Sequence, residues 1–220
     1  LERWKQMHIP DGFVNMPVAA VTALGSATAV AYGSSKLGKA LPPEKAPILG
    51  LAGAFVFAAQ MVNFPVAGGT SGHLIGAAVV TALLGPWAAV LVMTAVLILQ
   101  CLVFQVGGLT ALGANIFNMA LVATFTAYGI RLLAKNAKSL SVRYGLVALG
   151  AWASVLAASI ACSLELALSG TTPLGIVLPA MGSVHAVIGL GEALITVGTL
   201  AVVNAARPDL WPATSKAEVA

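Results

Sequence analysis

The 220-residue chain is 59% hydrophobic and only 8% charged, with a net charge of +4; a soluble domain carries about a quarter charged residues. No Asp, Glu, Lys or Arg occurs from Ala46 to Ile130, and about 20 apolar residues suffice to cross a bilayer. The composition excludes a water-soluble globular domain and points to a polytopic membrane protein; the basic residues lie in clusters between apolar runs and give no nucleic-acid signal.

In chain order, "LERWKQ" at 1–6 is polar. It has neither the apolar core nor the small-residue cleavage site of a secretory signal peptide. It reads as an extension, an expression remnant or a mistaken start, ahead of "MHIPDGF" at 7–13. Apolar runs broken by Gly, Pro and charge then give segments 14–34, 46–62, 73–85, 87–105, 115–133, 143–168 and 180–205. Helices are the only open-chain way to satisfy backbone polar groups in lipid, and the alternation of barrel strands is missing. The predicted fold is therefore all-α and polytopic, with about seven transmembrane helices. Residues 7–208 form the transmembrane domain and 209–220 a cytoplasmic tail. The third segment is short, and "NFPVAGGTSGH" before it predicts irregular backbone at membrane depth, enclosed by protein. Cys101 and Cys162 fall inside apolar runs and read as buried small hydrophobes rather than disulfide halves.

Lys and Arg set the orientation. Lys36, Lys39 and Lys45 lie between spans one and two; Arg131, Lys135, Lys138 and Arg143 lie between spans five and six; Arg207 and Lys216 follow span seven. With seven spans these regions share one side, which is then cytoplasmic. The expectation is N-out, C-in, in the cytoplasmic (inner) membrane of a bacterium.

On this map His8, His73 and His185 all fall at the outer face. Imidazole is the commonest protein metal ligand. Each also has a structural reading: a solvated tail residue, a donor within the Gly-rich bend, and a bridge between helices. Glu192 lies seven residues beyond His185 on one helical face, near mid-membrane, where a carboxylate is costly enough to face the bundle interior. Glu165, nearer an outer interface, reads as structural. If Met7 began the chain, its amine, the His8 backbone nitrogen and the His8 ring could form fused chelate rings around one metal. His73 would complete four nitrogens in a plane, a set that suits Ni(II) or Cu(II), with Co(II) a further occupant. Pro10 fixes its own φ and Asp11-Gly12 favours a reversal, which could send the terminus back among the helices.

"MHIPDGF" at 7–13, "FPVAGGTSGHLIGA" at 64–77 and "HAVIGLGEALIT" at 185–196 resemble the CbiM/NikM family. These are the substrate-binding (S) components of energy-coupling-factor (ECF) cobalt and nickel transporters, and the match looks closer to the cobalt-transport CbiM side. The resemblance runs from Met7 to about Pro208. It implies an S-component fold with an extra N-terminal helix, whose N-terminal segment inserts into the bundle. It implies a metal site of Met7, His8 and His73, with transported Co(II) or Ni(II) as ligand and no catalytic cofactor. It gives no ligand role to His185 or Glu192. It also implies a membrane coupling (T) protein, cytoplasmic ABC-type ATPases, a small accessory membrane protein such as CbiN, and a link to cobalamin biosynthesis. The departure is the extension: the family's methionine begins its chain, whereas here Gln6 would acylate the Met7 nitrogen.

The sequence has no Gly-rich Lys-Ser/Thr phosphate loop, so this chain cannot itself hydrolyse ATP in that manner and energy comes from partners or a gradient; the resemblance to a transporter subunit implies that it is not an enzyme. Ala19, Ala23, Ala27 and Ala31 recur at a spacing that lets helices approach closely, for packing within the chain or for docking the coupling protein. One alternative comes from another class. "GTSG" at 69–72 fits the Gly-x-Ser-Gly pattern of rhomboid intramembrane proteases, with Ser71 as nucleophile and His185 as base. A bis-histidine haem carrier using His73 and His185 is a third, weaker option.

Overall fold

The computed structural model describes residues 7–40, 46–66, 71–134, 137 and 139–210. The extension 1–6, Gly69, Lys45, Lys135, Lys138 and Lys216 lie outside the described residues. The described chain is a helical bundle with one small hairpin. Helix α1 (Met16–Ala40) and α2 (Ala46–Gln60) are followed by strands β1 (Asn63–Pro65) and β2 (Ser71–His73), which pair antiparallel with Asn63 opposite His73. Then come α3 (Ala77–Leu84), α4 (Pro86–Phe104), α5 (Leu112–Ile116), a π-helical stretch Phe117–Val122, α6 (Ala123–Leu133), α7 (Leu140–Leu168) and α8 (Leu174–Ala206). Because α5, the π stretch and α6 form one unbroken rod, the helices make seven rods. Five are long and apolar enough to cross a membrane, and α2 is a shorter apolar helix.

Three expected segments differ in extent. The third shrinks to α3, eight residues and roughly 12 Å at the helical rise. Its first residues instead form β2 and a connection, the irregular backbone that the Gly-rich stretch foretold. Gly85, at φ 84°, then reverses the chain into α4, which opens on Pro86. The last segment starts earlier, at Leu174. Pro173 supplies the first carbonyl, to the Ile176 and Val177 amides, and the helix runs on through Pro179, which has no N–H to offer the preceding turn. Helix α1 outlasts its apolar run and carries Lys36 over the Tyr32 ring, 5.6 Å from its centroid. The run GSSKLGK at 33–39 lies inside this helix, not in a strand–loop–helix cradle for phosphate.

Burial follows a membrane pattern. On α8 the inward stripe is Met181, His185, Ile188, Gly189, Glu192, Thr196 and Leu200, while Val187, Leu190 and Leu194 point outward. The apolar exterior suits lipid; the interior takes the polar groups. Helices α7 and α8 form the most extensive helix pair. They close on Gly189, where a Cβ would meet Trp152 Cδ1 at 2.8 Å, and Trp152 Nε1 donates to the Ala186 carbonyl at 3.0 Å. On α1 the packed face is Ala19, Thr22 and Ser26; Ala27 and Ala31 of the alanine series are exposed. Ser26 donates to the Gly113 carbonyl at 2.9 Å. Cys101 and Cys162 are buried and not joined in a disulfide, as expected.

One end of the bundle collects residues 7–15, the α4–α5 connection, the end of α7 and the start of α8. The described Lys and Arg residues lie towards the other end: Lys36 and Lys39 in the last turns of α1, Arg131 near the end of α6, Arg143 at the start of α7 and Arg207 just after α8.

Candidate metal centre

The N-terminal segment is a plug, pinned by side chains whose partners are mostly backbone. Asn15 caps α1, its Oδ1 accepting the Val18 amide at 3.0 Å. It also ties the plug to the end of α7: the Asn15 amide donates to Ser169 Oγ at 3.1 Å, and Nδ2 donates to the Leu168 carbonyl at 3.2 Å. The Phe13 amide returns to the Pro10 carbonyl at 3.3 Å and Gly12 takes φ 81°, so the expected reversal at Asp11-Gly12 is present. Asp11 Oδ1 accepts from both the amide and the hydroxyl of Thr110, at 2.7 and 2.6 Å. These donors hold the Asp11 carboxyl below the usual carboxylate range. Further in, the Ile9 carbonyl accepts from the Gly108 amide at 2.9 Å. A Cβ at Gly108 would collide with the Pro10–Asp11 peptide, so only glycine lets the plug lie there. Asn115 completes the hold: its Oδ1 accepts the Ile9 amide at 3.0 Å and its Nδ2 donates to the Ile9 carbonyl at 3.1 Å. Met7, His8 and Ile9 are all buried.

This places His8 against His73. Nδ1 of His8 and Nε2 of His73 are 3.1 Å apart, with the rings edge to face at 72°. The outward nitrogens have partners that can only accept. His8 Nε2 lies 2.8 Å from Gln100 Oε1, and His73 Nδ1 lies 2.7 Å from the Leu74 carbonyl. An amide oxygen and a carbonyl accept and never donate, so each contact calls for an N–H on that ring nitrogen. When both rings are neutral, the two nitrogens that face each other are then both bare lone pairs. That arrangement is unfavourable when empty and complete when a cation lies between them. Metal-binding histidines show this pattern, the second ring N–H donating to a carbonyl or amide oxygen that fixes the tautomer. The Met7 backbone lies against both imidazoles. Among the described residues no three His, Cys, Asp or Glu side chains form a metal cluster, so a site here needs backbone donors to complete it.

The backbone that carries His73 is fixed just as tightly. Glu192 accepts the Ile75 and Gly76 amides at 2.8 and 2.7 Å, and Gln60 Nε2 donates to the Ile75 carbonyl at 2.9 Å. With the Leu74 carbonyl taken by His73, the connection from β2 to α3 has its polar groups met by side chains of α2, α8 and β2. Glu192 does face the bundle interior, spent on two main-chain donors rather than pointing at the imidazoles. Glu165 is buried and accepts from Asn118 Nδ2 at 2.7 Å. His185 is buried on α8 and donates Nδ1–H to the Met181 carbonyl at 2.8 Å. It lines the same cavity as His8, His73 and Ser71.

The expected site residues Met7, His8 and His73 therefore meet. Residue-by-residue reading missed Gln100, Asn115 and Asn118, which hold or line the site. All three are lone amides within the uncharged run 46–130. Polar residues at membrane depth mark functional interiors, and that signal was available. Asn118 lies in the π stretch, a feature common at functional sites.

A helical membrane bundle that buries two facing imidazole lone pairs under a plug of its own N-terminal segment has the build of a transition-metal transport protein. The chain belongs to the CbiM family, described as the cobalt uptake substrate-specific transmembrane region, matched over residues 8–210. It is 32% identical over 220 aligned residues to the fused nickel transport protein NikMN of Rhodobacter capsulatus, covering 93% of this chain and 63% of that one. It is 38% identical over 134 residues to the cobalt transport protein CbiM 2 of Pelobacter propionicus, covering 60% and 59%. Its fold matches the crystal structure of a truncated transition metal transporter with a TM-score of 0.85 and 34% identity, over 91% of this chain and 99% of that one. The chain is thus a multi-pass membrane protein of cobalt and nickel transport, and not an enzyme. These relatives are metal transport proteins, and they lend the protease alternative no support.

Proposed function

We propose that the chain captures Co(II) or Ni(II) as transported substrate, through four nitrogens: the Met7 amine, the His8 amide nitrogen, His8 Nδ1 and His73 Nε2. The observation that carries this reading is the pair of opposed lone pairs 3.1 Å apart. Two imidazole nitrogens bound to a first-row dication at about 2.0–2.1 Å and at right angles stand about 2.9 Å apart, so the ion can replace the contact with little movement. Nδ1 is also the ring nitrogen from which His8 closes a chelate ring with its own amide. The amine and the two imidazoles bind as neutral donors, while the His8 amide nitrogen binds as the amidate and releases its proton to solvent; such nitrogen donors suit borderline transition ions.

The positive-inside pattern supports an outward-facing plug, with capture at the outer face and delivery inward. Delivery depends on a coupling membrane protein and on ABC-type ATPases, since this chain has no phosphate loop. The fusion printed in the NikMN name supports a small accessory membrane partner of the CbiN kind. Residues 7–208 act as one metal-binding domain.

The test uses the Met7 nitrogen. An α-amine has a reference pKa of about 7.7–8.0, so metal displaces its proton at neutral pH. Acylated by Gln6, the same nitrogen is an amide. A protein beginning at Met7 should bind Co(II) or Ni(II) at least about 100-fold more tightly than one retaining 1–6, as lost chelate donors cost several powers of ten. Affinity should fall with pH as amine and imidazole take up protons and as the His8 amide is held in its protonated form. The measurement is a calorimetric titration of each form, with the N-terminus verified by mass spectrometry. Equal, tight binding by the extended chain would remove the amine from the ligand set.

A further inference from the structure

The chain between α4 and α5 does more than lie under the plug. Helix α4 ends on Gln105, a non-glycine residue at φ 54°, and the Val106 amide returns to the Gln100 carbonyl at 3.0 Å. Gly107 follows at φ 80°, then Gly108. The residue whose side chain accepts from His8 Nε2 and the residues that receive the plug therefore belong to one tight turn. Space at Gly107 is closed on the side of His8. A Cβ there would stand 3.0 Å from His8 Cβ, 3.4 Å from His8 Cδ2 and 3.1 Å from Asn115 Nδ2, whereas relaxed carbon contacts lie at about 3.5–4.0 Å. Neither neighbour is a loose side-chain end: His8 Cβ is bonded to the plug backbone, and Asn115 Nδ2 is committed to the Ile9 carbonyl at 3.1 Å. Gly107 cannot retreat either, because the amides on both sides of it are held, Val106 by Gln100 and Gly108 by Ile9. Cδ2 lies on the ring edge away from Nδ1. An atom added at 107 therefore pushes the imidazole on its Nδ1 side, where His73 Nε2 stands 3.1 Å away.

From these contacts we infer that Gly107 is a positioning residue for metal capture: its bare Cα is the wall that fixes where His8 Nδ1 stands against His73 Nε2. The inference rests on the capture reading above. Relief of the Cβ contact needs a shift of about 0.5 Å or more, and metal sites hold their ligand distances to about 0.2 Å. The displacement therefore exceeds what coordination tolerates. Gln100 selects which ring nitrogen of His8 carries the proton, and Gly107 sets where the bare nitrogen points. The ion's geometry at His8 thus depends on a residue that supplies it no ligand.

The experiment is a Co(II) titration of purified protein beginning at Met7, read by calorimetry and by the visible spectrum of the Co(II)-saturated protein, beside thermal melts without metal. Gly107→Ala adds the Cβ. Gly107→Asn adds it within a residue that tolerates positive φ better than alanine, so a folded variant is kept even if the alanine protein fails to assemble. Gly85→Ala is the control: its φ is 84° with nothing within 4 Å of an added Cβ, so it carries a backbone cost without a contact. Both Gly107 variants should bind Co(II) about 10–100-fold more weakly, the loss expected of an outer support, and should show an altered spectrum even at saturation. Gly85→Ala should melt lower, yet keep its affinity within about twofold and its spectrum unchanged. A wild-type spectrum at saturation in both Gly107 variants, whatever their affinity or melting, would overturn the inference. Absence of tight Co(II) binding by wild type, or its survival in His8→Ala, would instead overturn the capture reading, so the two failures are distinguishable.

Discussion

Replacing Gln100 by leucine separates a metal site from a pair of hydrogen-bonded histidines. In the metal-free protein the change costs little. With Gln100 Oε1 gone, His8 can move its proton from Nε2 to Nδ1 and donate to His73 Nε2, 3.1 Å away. Gln100 Nε2 is itself a buried donor without a partner among the described residues, so its removal relieves a small penalty, and leucine fills a similar volume. Metal changes the balance: the ion needs the Nδ1 lone pair, which forces the proton onto Nε2, and leucine offers it nothing. The bound state then contains a buried unsatisfied N–H worth about 1–3 kcal/mol. Loss of such an outer partner weakens metal binding by about 10–100-fold. Gln100→Leu should therefore lower Ni(II) or Co(II) affinity by that factor, measured by calorimetry, while the melting temperature of the metal-free protein moves by no more than a degree or two. Gln100→Glu keeps the acceptor and should bind at least as well as wild type. Unchanged affinity in the leucine variant would refute the argument that the ion occupies the Nδ1 side of His8. A large fall in metal-free melting temperature would show that Gln100 supports the fold rather than the tautomer.

Two further outcomes follow from the plug and from the strand that carries His73. Glu192→Ala leaves the Ile75 and Gly76 amides without their acceptor, at about 1–3 kcal/mol each; it should lower the melting temperature in detergent by many degrees and weaken metal binding through a displaced His73, whereas unchanged melting would mean the amides find other partners. Asp11 has its carboxyl pKa depressed by Thr110, so its contribution is present above its ordinary value of about 3.9 and is lost as pH falls through the lowered folded value; Asp11→Asn should melt below wild type at pH 7, and thermal melts across the acid range should show the gap closing towards pH 3.

The histidines were legible because membrane topology is a strong constraint. Once spans alternate, His8, His73 and His185 must share a face, whatever the packing. The plug was legible in part: Pro10 and Asp11-Gly12 announced a reversal, but nothing local announced that Asn115 and Gly108 would receive it. What Asn115 meets is the main chain of Ile9, and what Gly108 offers is its own amide; any residue supplies such main-chain groups. Glu192 shows the same limit. Its inward position followed from the cost of a carboxylate at that depth, yet its ligands are two amides more than a hundred positions away, chosen by how α8 meets the start of α3. Glu165, near the end of α7, reads as structural, but its sequence position does not name Asn118 as its partner. The third segment misled for a different reason. Hydropathy runs the connection 74–76 into α3, because Leu74 and Ile75 are as apolar as the helix that follows.

The distribution of charge around the site bears on which ion it takes. A bundle that moves a dication might be expected to aim carboxylates at it, and two buried ones are at hand. Neither lines the cavity with the imidazoles: Glu192 has both oxygens on backbone amides, and Glu165 takes Asn118 on one oxygen. The groups that do converge are imidazole nitrogens and the Met7–His8 backbone, and none of their neighbours supplies an oxygen cage. Mg²⁺ and Ca²⁺ bind through oxygen ligands, and Mg²⁺ surrenders its waters reluctantly. They gain nothing from neutral nitrogen lone pairs, whereas late first-row ions gain a great deal. By tying its carboxylates to the scaffold, the protein offers donor type rather than charge. On the capture reading that is what lets it hold scarce transition ions against an excess of hard ones, while the same buried carboxylates fix the connection that follows His73 and the π stretch that lines the cavity.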